Sequence, residues 1–140
     1  MKGMSMMKLK IAFVCTGNSC RSQIAEGWAK YLGNDVFEVY SAGTHPSEKV
    51  NQNAINVMKE AGVDISCHYP KTFDDIPYEI DVLITMGCGV VCPFVPNKYE
   101  EDWGLPDPVG HPIEEFRRIR DIIKDKVLDL FAKAKNKEIL

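Results

Sequence analysis

The sequence predicts an α/β protein: a single doubly wound domain on a four-stranded parallel sheet, flanked by helices on both faces. Three observations carry this reading. Short β-branched, apolar runs alternate with segments of helical periodicity, glycine-containing turns punctuate their junctions, and no repeat, linker or low-complexity tract divides the 140 residues. A chain of this length buries a core without disulfide staples. Residues 1–140 are therefore read as one domain, with residues 1–8 a flexible leading tail.

The first strand is "LKIAFVC", residues 9–15, closed by the turn Thr16-Gly17-Asn18. After Arg21, the apolar positions Ile24, Ala25, Trp28, Tyr31 and Leu32 keep helical spacing, and Gly33-Asn34 stops the helix. A second strand fits "VFEVYSAG". A second helix fits residues 51–61, with Ala54, Val57, Met58 and Ala61 on one face and Gly62 just beyond. "EIDVLITMG", residues 79–87, is the third strand. The stretch that follows is rich in Pro and Gly and reads as loop, apart from a short fourth strand over residues 102–105. From Pro112, suited to a first helical position, Ile113, Phe116, Ile119, Ile123, Val127, Leu130 and Phe131 form one apolar face. Glu114 and Glu115 stand near its start and lysines near its end. Ligands of such a sheet sit at the carboxyl ends of the strands, where both cysteine-bearing loops fall.

A formal charge of −3 gives no basic footprint, so neither nucleic acid nor an anionic membrane surface is an expected partner. No signal-like h-region or apolar run of spanning length appears, and the expected location is cytoplasmic. Thiols stay reduced there, so Cys15, Cys20, Cys67, Cys88 and Cys92 read as catalytic, metal-binding or buried rather than as structural disulfides.

The first loop holds the chemistry. In "CTGNSCRS" a thiol stands at a strand-to-helix turn, where converging backbone N–H groups and the positive end of the helix dipole favour the thiolate. The same amides, from Thr16, Gly17, Asn18, Ser19 and Cys20, cradle a tetrahedral oxyanion. Arg21 offers a planar fork for two of its oxygens, and Ser22 can donate its hydroxyl to the Cys15 sulfur. The bland alternative is an ordinary glycine-containing turn around an inert buried cysteine.

"CTGNSCRSQIAEG", followed by "YSAGT" and later "LPDPVG", resembles the low-molecular-weight tyrosine phosphatase fold, in particular its arsenate reductase branch. The resemblance covers nearly the whole chain. It implies Cys15 as nucleophile, the loop 15–21 as oxyanion site, and Asp107 as general acid; taken alone, Asp107 in "PDPVG" reads as a turn residue. Where the phosphatase branch carries aromatic residues after this Asp-Pro, here stand Val109 and Gly110, so a phosphotyrosine ring loses its stacking wall. Reduction of arsenate takes two electrons. The resemblance assigns them to Cys15 and Cys88, which attacks the Cys15 sulfur, and then to Cys92, which attacks Cys88 and moves the disulfide outward. The implied partners are arsenate or a phosphate-like oxyanion, and thioredoxin or another thiol reductant. Some reductases of this fold hold a potassium ion through Asn, Ser and an acidic residue; Asn18 and Ser41 match, but the acidic position is Lys71, whose ammonium can take the cation's place. No metal cofactor is then required.

Several alternatives stand beside this reading. The chain is alternatively a phosphatase using Cys15, Arg21 and Asp107 alone, or an oxyanion- or zinc-binding regulatory module, with Cys88, Cys92 and a histidine such as His111 as zinc ligands. Cys20 reads as structural, with a reversible disulfide to Cys15 as a protective option, and Cys67 as a small buried hydrophobe. His45, His68 and His111 read as surface or supporting groups, and Trp28 and Trp103 as packing.

Overall fold

The structure, a computed structural model, describes residues 8–87 and 95–136. The elements in chain order are β1 (Leu9–Cys15), α1 (Arg21–Gly33), β2 (Phe37–Gly43), α2 (Gln52–Glu60), a 3-10 turn (Phe73–Asp75), β3 (Val82–Thr85), β4 (Tyr99–Asp102) and α3 (Ile113–Lys135). The four strands form one parallel sheet in the order β2-β1-β3-β4. β1 thus has β2 on one side and β3 on the other, and the chain changes direction across the sheet at its carboxyl end. That switch point is where a crevice opens in such sheets, and it is where Cys15 stands, in register with Gly43.

Alternation along β1 divides the core into two layers. Ile11, Phe13 and Cys15 point into the larger one, with Ile24, Ala25 and Trp28 of α1, Ala54, Val57 and Met58 of α2, and Phe116, Ile119, Ile123, Val127 and Leu130 of α3. Ala12 and Val14 point the other way, onto Leu83, Ile80 and Val95, with Phe73 and Ile76 of the 3-10 segment packed outside. α1 lies deepest: Arg21 through Ala29 are all buried. Asn51 caps α2, its side-chain oxygen accepting from the Asn53 and Ala54 amides.

Two strand boundaries differ from expectation. β3 pairs only over Val82–Thr85, although Asp81 and Met86 still donate to the carbonyls of Lys10 and Val14. The fourth strand is Tyr99–Asp102 rather than residues 102–105. It is an edge strand of polar residues, so the apolar signal lay past it, on Trp103 and Leu105. Gly104, at φ 55°, breaks the strand geometry between those two. Trp28 and Trp103 are packing residues, Trp103 lying 5.7 Å from the Phe13 ring. Cys67 is exposed, not buried: Ile65 is the residue that plugs the core, and a turn in which Asp64 accepts from the Ser66 amide swings its successors outward. Except for Lys8, the expected leading tail lies outside the described residues.

Ile123 is fully buried on the α3 face that closes the larger layer. Ile123→Ala should lower the unfolding free energy by about 3 kcal/mol in urea titrations, with little change in reactivity at Cys15 under native conditions. A loss below about 1 kcal/mol would mean that α3 is not an integral wall of the core.

Candidate active site

A loop that is to grip an anion with its amides must send its carbonyls elsewhere. Here each carbonyl from Cys15 to Cys20 has an outside donor. Cys15 accepts from the Thr44 amide, Thr16 from His45, Gly17 from Ser47 and Ser19 from Asn51, at 2.7 to 3.2 Å. The Asn18 carbonyl accepts from Gln23 Nε2 at 3.1 Å, and that of Cys20 from the Ile24 amide at 2.8 Å. In trans peptides the N–H opposes the C=O, so amides 16–21 turn to the concave side. The segment after β2 approaches closely enough to do this because Gly43 has no side chain: a Cβ there would lie 2.6 Å from the Thr16 oxygen and 2.9 Å from the Asn18 nitrogen.

The concavity is a cavity of about 270 Å³ lined by Cys15, Thr16, Gly17, Ser19, Cys20, Arg21, His45, Ser47, Asp107 and Val109. Asn18, with φ 49°, takes a left-handed conformation that turns its amide to Cys15 Sγ at 3.3 Å. Its side-chain Nδ2 donates to Ser22 Oγ at 2.7 Å, which leaves the Ser22 hydroxyl proton for Cys15 Sγ, 2.9 Å away. Arg21 spends Nη1 on two carbonyls, Met86 at 2.8 Å and Leu105 at 2.7 Å, so its Nε–Nη2 edge is the fork presented to a ligand. Cys20 also faces the cavity, but burial, Asp107 and Cys15 push its thiol far above the ordinary range, and it stays a neutral group. Asp107 stands on an exposed turn at the cavity mouth, its Oδ1 accepting from the Val109 amide at 3.1 Å.

Beneath the loop lies a buried charge cluster. Glu26 accepts from Lys30 Nζ and the Ser41 hydroxyl, with Lys71 Nζ at 3.3 Å and His68 Nδ1 at 3.8 Å. Burial alone would raise the Glu26 carboxyl; the Lys30 and Ser41 hydrogen bonds and the Lys71 and His68 charges outweigh it and hold the group below its ordinary range. Lys71 also donates from Nζ to the Tyr69 carbonyl and from its backbone to Asn18 Oδ1. Ser41, which matched in the sequence, and Lys71, which stood at the mismatched acidic position, thus meet on one carboxylate, and Asn18 joins them through the Lys71 amide; sequence reasoning missed that carboxylate, since a glutamate inside a helical periodicity looks like a solvated one. His45 and Ser47, on the cavity rim, were equally silent in the sequence. His111 is exposed, and among the described residues no three His, Cys, Asp or Glu side chains group as a metal site. Cys88 and Cys92 lie outside the described residues.

His68 and Glu26 of this cluster both contribute to the acid limb of stability. Burial holds the folded His68 below its ordinary 6.5, so between that lowered value and 6.5 the unfolded chain binds more protons. Glu26, lowered from 4.5, acts in the same sense at more acid pH. Stability measured by urea unfolding should be full above about pH 6.5, decline as pH falls through the lowered His68 value, and decline again as it falls through that of Glu26. His68→Asn should abolish the first decline; superimposable curves would exclude His68 as its source.

Comparison with known proteins places this geometry. The profile of the family described as Low molecular weight phosphotyrosine protein phosphatase matches residues 10–91. A protein named arsenate reductase from Staphylococcus aureus strain Newman is 48% identical over 123 residues, 85% of this chain and 93% of that protein. A solved structure described as an arsenate reductase in the phosphate binding state superposes with a TM-score of 0.83 at 43% identity, covering 91% of this chain and 99% of its own. The Corynebacterium glutamicum thioredoxin-dependent arsenate reductase superposes with a TM-score of 0.77 at 29% identity, over 96% of this chain and 65% of its own. With the cradle of residues 15–21 at the switch point of a four-stranded parallel sheet, the chain belongs to the low-molecular-weight phosphotyrosine protein phosphatase family.

Proposed function

We propose that the protein is an arsenate reductase. The observation that carries this is the 48% identity to the S. aureus arsenate reductase over 85% of this chain and 93% of that one, joined to a cavity headed by Cys15 whose described lining holds no Phe, Tyr or Trp. Among the described residues an aryl phosphate finds no benzenoid or indole ring to stack on there, whereas a bare tetrahedral oxyanion needs only amides and the Arg21 fork.

The reaction follows from the groups in place. The Cys15 thiolate, receiving the Ser22 hydroxyl and the Asn18 amide, attacks arsenic(V) and forms an S–As bond, while one oxygen leaves as water with a proton from Asp107. Cys88 then attacks Cys15 Sγ. An S–S bond forms, the S–As bond breaks, and its electron pair stays on arsenic, which departs as arsenite. Two thiols are oxidised as arsenic gains two electrons. Cys92 attacks Cys88, frees Cys15 and leaves a Cys88–Cys92 disulfide for an external dithiol, for which thioredoxin is the candidate named by the likeness to the C. glutamicum enzyme. The same first step on a phosphate ester, followed by water, gives a slow phosphatase side activity. Lys71 Nζ, at 3.3 Å from the Glu26 carboxylate that also accepts from Ser41, supplies the positive charge for which a potassium ion would otherwise serve, and the catalytic scheme uses no metal.

Reduced protein mixed with arsenate, with no reductant added, should yield about one arsenite per chain and lose two thiols. Cys15→Ser should abolish both arsenite formation and the phosphatase side activity. Cys88→Ser should block arsenite release but spare the phosphatase activity, and Cys92→Ser should make one arsenite and stop. Arsenite that forms only when an external thiol is present throughout would overturn the intramolecular relay.

Asp107→Asn should lower turnover by roughly two to four orders of magnitude while sulfate or phosphate still binds. An unchanged turnover number would remove Asp107 from the chemistry.

A further inference from the structure

We propose that Gln23 is a positioning residue for the nucleophile: it orients Asn18, through Asn18 the Ser22 hydroxyl, and so holds the Ser22 proton on Cys15 Sγ. Gln23 is fully buried and makes no contact with the cavity. Its Nε2 has two hydrogens for three oxygens: the Asn18 carbonyl at 3.1 Å, Asn18 Oδ1 at 3.1 Å and the Tyr69 carbonyl at 2.9 Å. With the nitrogen so placed, Oε1 faces His68 Nδ1 at 2.9 Å and accepts its hydrogen. The amide has one orientation that satisfies all four neighbours.

The consequence runs inward. Asn18 Oδ1 accepts from Gln23 Nε2 and from the Lys71 amide at 2.8 Å, so its Nδ2 has to face Ser22. Ser22 Oγ, already accepting from Nδ2, has its own hydrogen directed to Cys15. Gln23 also holds the Asn18 carbonyl outward, on the residue whose left-handed φ brings its amide to the same sulfur. Every bond from His68 to Cys15 therefore points the same way, and both hydrogen bonds into the sulfur depend on one buried amide. Without Gln23, Asn18 is free to relax toward ordinary φ and to offer Oδ1 to Ser22, which then donates there instead of to the thiolate.

The inference rests on Cys15 as nucleophile, and a test on that thiol separates it from the question of substrate. The rate of Cys15 alkylation by iodoacetamide, followed by peptide mass spectrometry from pH 5 to 10, reads the thiolate directly. Gln23→Met should move the midpoint of this profile up by about one pH unit, close to ten-fold slower alkylation at neutral pH. Gln23→Glu keeps the shape, puts an acceptor where the Asn18 oxygens need a donor, and should shift it at least as far. Ser22→Ala should also raise the midpoint, and adding Gln23→Met to Ser22→Ala should change it little further, because the path is then already cut. A Gln23→Met midpoint within about 0.2 pH unit of wild type, or shifts that add in the double variant, overturns the proposal. If the Met variant does not fold, Gln23→Glu alone and in the Ser22→Ala background gives the same two decisions.

Discussion

Six consecutive carbonyls, those of Cys15 to Cys20, face away from the cavity, and the rest of the site depends on it. A peptide that turns its N–H to an anion must find a donor for its oxygen on the other side, and buried carbonyls without one are costly. Four of the donors are backbone amides of the segment after β2, which can reach the loop only because β2 runs beside β1 in parallel register to the very end, Cys15 against Gly43. The sheet is thus more than a platform. Its register sets how far the second loop can zip along the first, and the absent side chain of Gly43 sets how close.

The cost of this arrangement falls on α1. A helix that starts inside the anion loop and runs through the middle of the core has almost no solvated face, so its polar residues must be satisfied internally. Arg21, Ser22, Gln23 and Glu26 are buried, and each has partners outside the helix: Met86 and Leu105, Asn18 and Cys15, Tyr69 and His68, Ser41 and Lys71. Left-handed Asn18 adds a conformational cost of about 1 kcal/mol that these bonds offset. Replacing such a network by apolar residues could equal it in stability, but it would lose the one-way orientation of hydrogen bonds that ends on the sulfur. The polar core of α1 is explained by chemistry better than by stability.

What was legible in the sequence was local. Cys15, Arg21 and Ser22 share one strand-turn-helix, and the chemistry of their spacing can be read without knowing what packs around them. The helices were legible for the same reason, each carrying its own periodicity. Gln23 and Glu26 were not, because their roles come from residues as far as 46 positions away, and a polar side chain in a helical stretch looks the same whether it meets solvent or Tyr69. β4 was misplaced because an edge strand shields itself with charge, and Cys67 because a cysteine's hydrophobicity says nothing about which way a turn swings it. Lys71 was the exception: its mismatch with the acidic residue expected there led to the cluster, though not to the glutamate at its centre.

The anion cradle by itself does not decide between hydrolysis and reduction, since attack on phosphorus and attack on arsenic(V) begin alike. The difference lies in what reaches Cys15 Sγ next, water or a thiol, and Arg21 bears on that choice. Its Nη1 is bonded at once to the Met86 carbonyl, two residues before Cys88, and to the Leu105 carbonyl, two residues before Asp107. The guanidinium whose free edge faces the cavity therefore anchors with its other edge the chain leading to Cys88 and the chain leading to Asp107, the second thiol and the acid of the proposed reaction. Its planar geometry makes the three positions interdependent: to fix the fork over the substrate is to fix where both of those chains depart. A phosphatase needs only the second anchor. The proposed transfer of two electrons through the protein's own thiols needs both, and a single side chain supplies them.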